Sequence, residues 1–117
     1  MKIKHALMTA VLFAAYQTTS ILGISPVDCM DAAAEVDPEI TKGIVTRLCA
    51  GAQSLEPAKC YRDVPKVDSE INRGLAVRLC AGSTNAKKTI KCYEDAGAKG
   101  LNRGQAVRLC GARSSEE

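Results

Sequence analysis

INRGLAVRLC, residues 71–80, returns as LNRGQAVRLC at residues 101–110, with eight of ten positions identical. A more diverged copy, ITKGIVTRLC, occupies residues 40–49. Each copy closes on a cysteine, and another cysteine opens each unit at Cys29, Cys60 and Cys92, spaced 31 and 32 residues apart. A period of this size is typical of helical hairpin arrays. The chain of 117 residues is therefore predicted to be one small domain made of three repeats.

Each repeat is expected to contain two helices. The first follows the opening cysteine and is predicted to end at Pro65 in the second copy and at Gly97 in the third. The second is predicted to begin at an acidic N-cap, Asp37 or Asp68, whereas the third copy has no acid there and its helix is expected to fray. The fold class is predicted to be all-α, with hairpin repeats at residues 24–56, 57–88 and 89–117, the last including a polar tail.

A glycine lies inside every predicted second helix, at Gly43, Gly74 and Gly104. Glycine in a helix costs about 1 kcal/mol relative to alanine, so its recurrence needs a reason. The favoured interpretation is close packing against the partner helix, and the alternative is a ligand lying on the bare backbone.

The N-terminal residues have the layout of a secretory signal peptide. Lys2 and Lys4 precede an apolar run from residue 6 to residue 16, which is too short to span a bilayer, and small polar residues follow. We predict a signal peptide at residues 1–23, with cleavage after Ser20 or Gly23, and hence a secreted or periplasmic protein. Cleavage leaves 14 basic and 13 acidic residues, so the net charge is +1 and does not favour nucleic acid as a partner.

The six cysteines are predicted to form a disulfide framework in this exported chain. In an antiparallel helix pair, the start of the first helix lies beside the end of the second. We therefore predict the pairs Cys29–Cys49, Cys60–Cys80 and Cys92–Cys110. The rival connectivity joins neighbouring repeats through Cys49–Cys60 and Cys80–Cys92, which leaves Cys29 to pair with Cys110.

Residue types that carry most enzymatic chemistry are scarce. The only histidine, His5, lies in the predicted signal peptide, and the chain has no Cys-x-x-Cys pair and no glycine-rich phosphate loop. The sequence is thus predicted to be neither an enzyme nor a metal- or cofactor-binding protein.

Basic residues recur at two equivalent positions of each repeat, and we call this set the basic ladder: Lys42, Arg47, Arg73, Arg78, Arg103 and Arg108. A regular array would align them on one face, where they could bind a protein or an acidic glycan. The competing interpretation is structural, because a cation near a helix C-terminus is favourable there. Tyr61 and Tyr93, each next to an opening cysteine, are expected to cover the disulfide, with a contact role as the alternative.

The sequence therefore predicts a secreted, disulfide-stabilised binding or interaction module, since helical arrays offer extended binding surfaces. The alternative is a small membrane- or lipid-contacting helical protein. A near-zero net charge and the lack of a long cationic amphipathic helix count against that alternative.

Overall fold

The computed structural model describes residues 23–112, and within that range the chain forms six α-helices and no strand. Residues 1–22 of the predicted signal peptide and the tail from residue 113 onward lie outside it. The helices are α1 (Pro26–Val36), α2 (Lys42–Cys49), α3 (Glu56–Val67), α4 (Arg73–Cys80), α5 (Ala86–Ala98) and α6 (Arg103–Cys110). The all-α prediction is confirmed.

The six helices form two layers. The first helix of each repeat packs against the first helix of the next, so that α1, α3 and α5 make one layer. The shorter second helices α2, α4 and α6 pack side by side in the other layer, and each also contacts the first helix of its own repeat. The repeats therefore stack in chain order, and equivalent side chains recur at each level of the stack.

The second helices are capped by side chains that the sequence interpretation did not choose. Thr41, Asn72 and Asn102 each accept a hydrogen bond from the backbone N–H three residues later, at 3.3, 2.8 and 2.8 Å. In the third repeat Gln105 also reaches back to the backbone N–H of Asn102, which completes a capping box. The predicted acidic N-caps are therefore wrong. Helix α6 of the third repeat, which was expected to fray, has an N-cap as well.

Both acids instead end the preceding helix. Asp37 and Asp68 are the C-cap residues of α1 and α3, and each carboxylate accepts a hydrogen bond at 3.1 Å from the backbone N–H two residues later. A short acidic turn before an apolar run looks the same in sequence whether its acid closes one helix or opens the next. The turn is long enough here for a separate polar residue to open the second helix.

The first helices also continue past their predicted ends. Pro65 lies within α3, which runs two residues further, and Gly97 lies within α5. A proline in the last turn removes only the hydrogen bond to the carbonyl of Tyr61, so the helix can continue for a short distance. The α5 segment ends beside Gly100, whose φ of +92° is a conformation that glycine adopts readily.

The three disulfides join the opening and closing cysteine within each repeat, as predicted. Cys29 pairs with Cys49, Cys60 with Cys80 and Cys92 with Cys110, with Cα atoms 5.7, 5.5 and 5.7 Å apart. Each bond closes a loop of 18 or 20 residues and ties the two layers together. The cysteines of the first two repeats are buried in the same core as the small aliphatic side chains.

The core between the layers is built from small residues. Its largest fully buried side chains are Leu48 and Leu79, together with valines at positions 64, 77 and 107. The remainder is mostly alanine, cysteine and the two tyrosines. A core of this size gives a small domain limited stability, so the disulfides are expected to be a main source of rigidity.

Candidate binding face and the contacts between repeats

Two buried tyrosines connect consecutive repeats. The hydroxyl of Tyr61 donates to Asp37 Oδ2 at 2.5 Å, across the junction between repeats 1 and 2. The guanidinium of Arg73 binds the same carboxylate through two hydrogen bonds, from Nε to Oδ2 at 2.7 Å and from Nη2 to Oδ1 at 3.1 Å. We call Asp37, Tyr61 and Arg73 the first triad. The acid belongs to one repeat and both donors belong to the next.

The same arrangement recurs one repeat later as the second triad, Asp68, Tyr93 and Arg103. Tyr93 donates to Asp68 Oδ2 at 2.6 Å, and the Nε and Nη2 atoms of Arg103 donate to the two oxygens at 2.6 and 2.9 Å. Both carboxyl side chains are only 16% exposed. A carboxylate that is mostly shielded from water and accepts three hydrogen bonds from the next repeat is a strong, directional link, so each triad sets how one repeat sits on the next.

These contacts change the acidity of the groups involved. The hydrogen bonds from Arg73 and then from Tyr61 lower the pKa of Asp37 to about 2. Arg103 lowers the pKa of Asp68 still further below its ordinary value. Burial, followed by the hydrogen bond to Asp68, raises the pKa of Tyr93 to about 12. Both carboxyls are therefore ionised, and Tyr93 is neutral, throughout the ordinary pH range.

The triads give a structural role to two members of the predicted basic ladder. Arg73 and Arg103 bind the acid of the preceding repeat, although 42% and 45% of their side chains stay exposed. Lys42 occupies the equivalent position of repeat 1, on the exposed surface at the start of α2. Tyr61 and Tyr93 bind carboxylates of the neighbouring repeat, a role that the expectation of disulfide covering did not include.

The other three members of the ladder lie together. Arg47, Arg78 and Arg108 are exposed and stand at equivalent positions in the last turn of α2, α4 and α6. Because these helices pack side by side, the three residues form a line across the second layer, which we call the arginine row. Their place near helix C-termini also fits the structural interpretation, since a cation there is favourable.

One helical turn before each arginine lies an exposed glycine. A Cβ atom built on Gly43 would meet nothing within 4 Å, and on Gly74 or Gly104 it would meet only the Oδ1 of the N-cap asparagine, at 3.5 Å. That distance is an ordinary van der Waals contact. The expectation that these glycines admit a closely crossing helix is therefore wrong, because the partner helix lies on the opposite side of the second layer.

Alanine at these positions should stabilise the protein. For the double variant Gly74→Ala/Gly104→Ala we expect the free energy of unfolding to rise by about 1–2 kcal/mol, because alanine loses less backbone entropy than glycine on entering a helix. Urea unfolding followed by circular dichroism measures it. A loss of stability would mean that the backbone needs glycine there, whatever space surrounds it.

The triads were missed in the sequence, but a signal for them was present. The acid is found only in repeats 1 and 2, and the tyrosine and arginine only in repeats 2 and 3. Repeat 1 has Met30 and Lys42 in place of the two donors, and repeat 3 has Ala98, Lys99 and Gly100 across the turn where the acid would lie. Such a pattern is expected when a group on each repeat pairs with groups on the following one.

A shallow cleft opens beside each triad. The clefts have volumes of about 450 and 360 Å³, and their lining includes Val36 and Ile71 in the first and Val67 and Leu101 in the second. Both are open to solvent. Among residues 23–112, no group of three or more His, Cys, Asp or Glu side chains is placed to hold a metal ion.

Comparison with protein-family models gives no match, and neither characterised proteins nor solved structures show significant similarity to this chain. No helix between residues 23 and 112 is both long enough and apolar enough to cross a membrane.

Proposed function

We propose that this protein is a binding module that works outside the cytoplasm and holds an acidic protein segment along the arginine row. The observation that carries the proposal is the recurrence of one exposed arginine at the same position of three helices packed side by side. Among the ten-residue stretches, glycine, arginine, leucine and cysteine are the residue types kept at equivalent positions in all three copies. The cysteine forms a disulfide in every copy and the leucine is buried in the first two, whereas the arginine and the glycine lie on the surface in all three.

The disulfides support the proposed compartment. All six cysteines are paired within the chain, and such bonds form and persist in oxidising environments rather than in the cytosol. This supports an extracellular or periplasmic site of action, as does the predicted signal peptide.

The framework suits a binding surface that is already formed before its partner arrives. Three disulfides and two triads hold the second-layer helices in place, so the arginines are presented from a rigid support. A partner would therefore lose little affinity to ordering of this protein.

Charge along the array favours an acidic partner lying over the later repeats. Residues 24–56 contain six acidic and two basic residues, a net charge of −4, whereas residues 57–88 contain three acidic and seven basic residues, a net charge of +4. An acidic segment is thus attracted to Arg78 and Arg108 more strongly than to Arg47, which stands among the acids of repeat 1.

Membrane contact has weaker support. The large apolar residues exposed in the described part of the chain lie in different places: Ile24 and Val27 at the start of repeat 1, Leu109 at the end of repeat 3, and Val36 and Val67 at the clefts. A helix that lies on a lipid surface needs these residues on one continuous face.

Charge reversal tests the arginine row. The variant Arg47→Glu/Arg78→Glu/Arg108→Glu should bind a polyglutamate peptide at least about tenfold more weakly than the native protein, because three favourable ion pairs become three repulsions. The matched control Lys87→Glu/Lys88→Glu/Lys99→Glu makes the same change in net charge away from the row, and we expect it to keep affinity within about threefold. Binding is measured by fluorescence anisotropy at two salt concentrations.

The other outcomes separate the alternatives. Equal loss in both variants would show that only net charge matters and would remove the row from the proposal. Binding to heparin but not to polyglutamate would point to an acidic glycan. Leakage or binding of phosphatidylglycerol vesicles without peptide binding would favour the membrane-contacting function.

A further inference from the structure

The first repeat exposes an apolar face. The equivalent face of the second repeat is covered by the first repeat. Ile24, Val27 and Met30 occupy the positions of Leu55, Ala58 and Tyr61 in repeat 2, counted from the opening cysteine. In repeat 2 these side chains face repeat 1: Leu55 and Ala58 line a cleft with Ala32 and Val36, and Tyr61 binds Asp37. Val27, by contrast, is 62% exposed, because no described part of the chain covers it. We call Ile24, Val27 and Met30 the leading face.

The last repeat exposes the complementary side. Leu48 and Leu79 are 0% exposed, while Leu109, at the same position of repeat 3, is 66% exposed. Leu109 forms an apolar patch with Leu101, bordered by Gln105 and Arg108. We call Leu101 and Leu109 the trailing face. In repeats 1 and 2 the corresponding leucine is buried in the core.

The two terminal repeats carry opposite net charge. Repeat 1 has a net charge of −4, and its exposed acids include Asp28, Asp31 and Glu35 on α1. The described part of repeat 3, residues 89–112, has four basic and two acidic residues, a net charge of +2. The trailing face of one molecule is therefore attracted to the leading face of another, and not to a second trailing face.

We propose that copies of this protein associate head to tail, with the trailing face of one molecule packing on the leading face of the next. This contact extends the stacking that already joins repeats within the chain. It is heterologous, since two different surfaces meet, so it produces open chains of molecules and not closed dimers. The proposal does not rest on the proposed function, although Arg108 of the arginine row also borders the trailing face.

The contact between molecules is weaker than the contact between repeats, because it has no triad. Met30 and Lys42 replace the tyrosine and arginine on the leading side, and the turn at residues 98–100 has no carboxylate on the trailing side. Because the acid is missing on one side and both of its donors are missing on the other, no buried aspartate, tyrosine or arginine is left without a partner at the junction. Reversible association with a dissociation constant of about 0.1–1 mM is expected from a few aliphatic contacts and opposite charge.

Sedimentation equilibrium of the secreted protein tests this proposal. The weight-average mass should rise with concentration between 10 µM and 1 mM, reach about twice the monomer mass or more, and fall again in 0.5 M NaCl. Val27→Ser and Leu109→Ser should each remove most of the association. Val67→Ser is the matched control, since Val67 is an exposed valine in a cleft and not at an end of the array.

Mixing the two end variants gives the sharpest result. Leu109→Ser keeps an intact leading face and Val27→Ser keeps an intact trailing face, so an equimolar mixture should form a heterodimer although neither variant associates alone. A native protein that stays monomeric at 1 mM, or a mixture that stays monomeric, overturns the proposal. So does a Val27→Ser variant that associates like the native protein, because contact would then involve trailing faces alone.

Discussion

Replacing Cys60 and Cys80 together by alanine is expected to lower the free energy of unfolding by about 3 kcal/mol or more. Their disulfide closes a 20-residue loop, and the loss of such a crosslink restores about that much free energy to the unfolded chain. Both cysteines are completely buried, so the change also removes packing from the core. Repeat 2 lies between the other two and takes part in both triads, so weakening it disturbs both junctions.

The terminal repeat supplies the control for this variant. Cys92→Ala/Cys110→Ala opens a loop of 18 residues, for which the crosslink contribution is nearly the same. Its two cysteines are only partly buried, and repeat 3 takes part in one junction. We expect a smaller loss than for the central pair, measured by urea unfolding of both variants. Equal losses would show that the repeats unfold without cooperation between neighbours.

Asp68→Ala is expected to cost about 2–3 kcal/mol. The change leaves the hydroxyl of Tyr93, which is buried, and the guanidinium of Arg103 without their shared acceptor, and an unsatisfied buried donor is expensive. The matched control is Asp95→Ala, which removes a carboxylate that pairs with Lys91 on the open surface. We expect that control to change stability by less than about 0.5 kcal/mol. Similar losses would mean that the second triad contributes little to the junction.

The Asp68→Ala variant should also change how the free energy of unfolding depends on pH. Asp37 ionises in the folded protein with a pKa of about 2, against an ordinary value of 3.8, and Asp68 is shifted in the same direction. A carboxyl whose folded pKa is lowered stabilises the fold above its unfolded pKa, and that contribution is lost as the pH falls from about 4 towards 2. The native protein should lose stability across this window, and Asp68→Ala should lose less.

Urea midpoints at pH 7, 4 and 2.5 measure this difference. The other acids, including Asp63 beside Arg62, are common to both proteins and drop out of the comparison. An identical pH dependence for the native protein and the variant would show that the Arg103 and Tyr93 contacts do not favour the ionised form of Asp68.

The candidate surface was predicted in part. The recurrence of basic residues in the sequence identified all six positions of the ladder, but could not tell which of them the fold uses. Arg73 and Arg103 bind carboxylates that lie 36 and 35 residues earlier in the chain, and this contact distinguishes them from the arginine row. Periodicity indicates which residues share a position in each repeat, and it carries no information about what faces that position across a junction.

The amino-acid sequence by itself determined the threefold repeat and the all-helical class, and it favoured the disulfide pairs that the structure contains. These follow from local spacing, since two cysteines at the start and end of one hairpin are brought together whenever that hairpin forms. Only the tertiary structure decided what Asp37 and Asp68 bind, that the helix glycines face solvent and that Leu109 is uncovered. Each of these depends on how one repeat is placed against another, and that placement results from contacts between residues far apart in the chain.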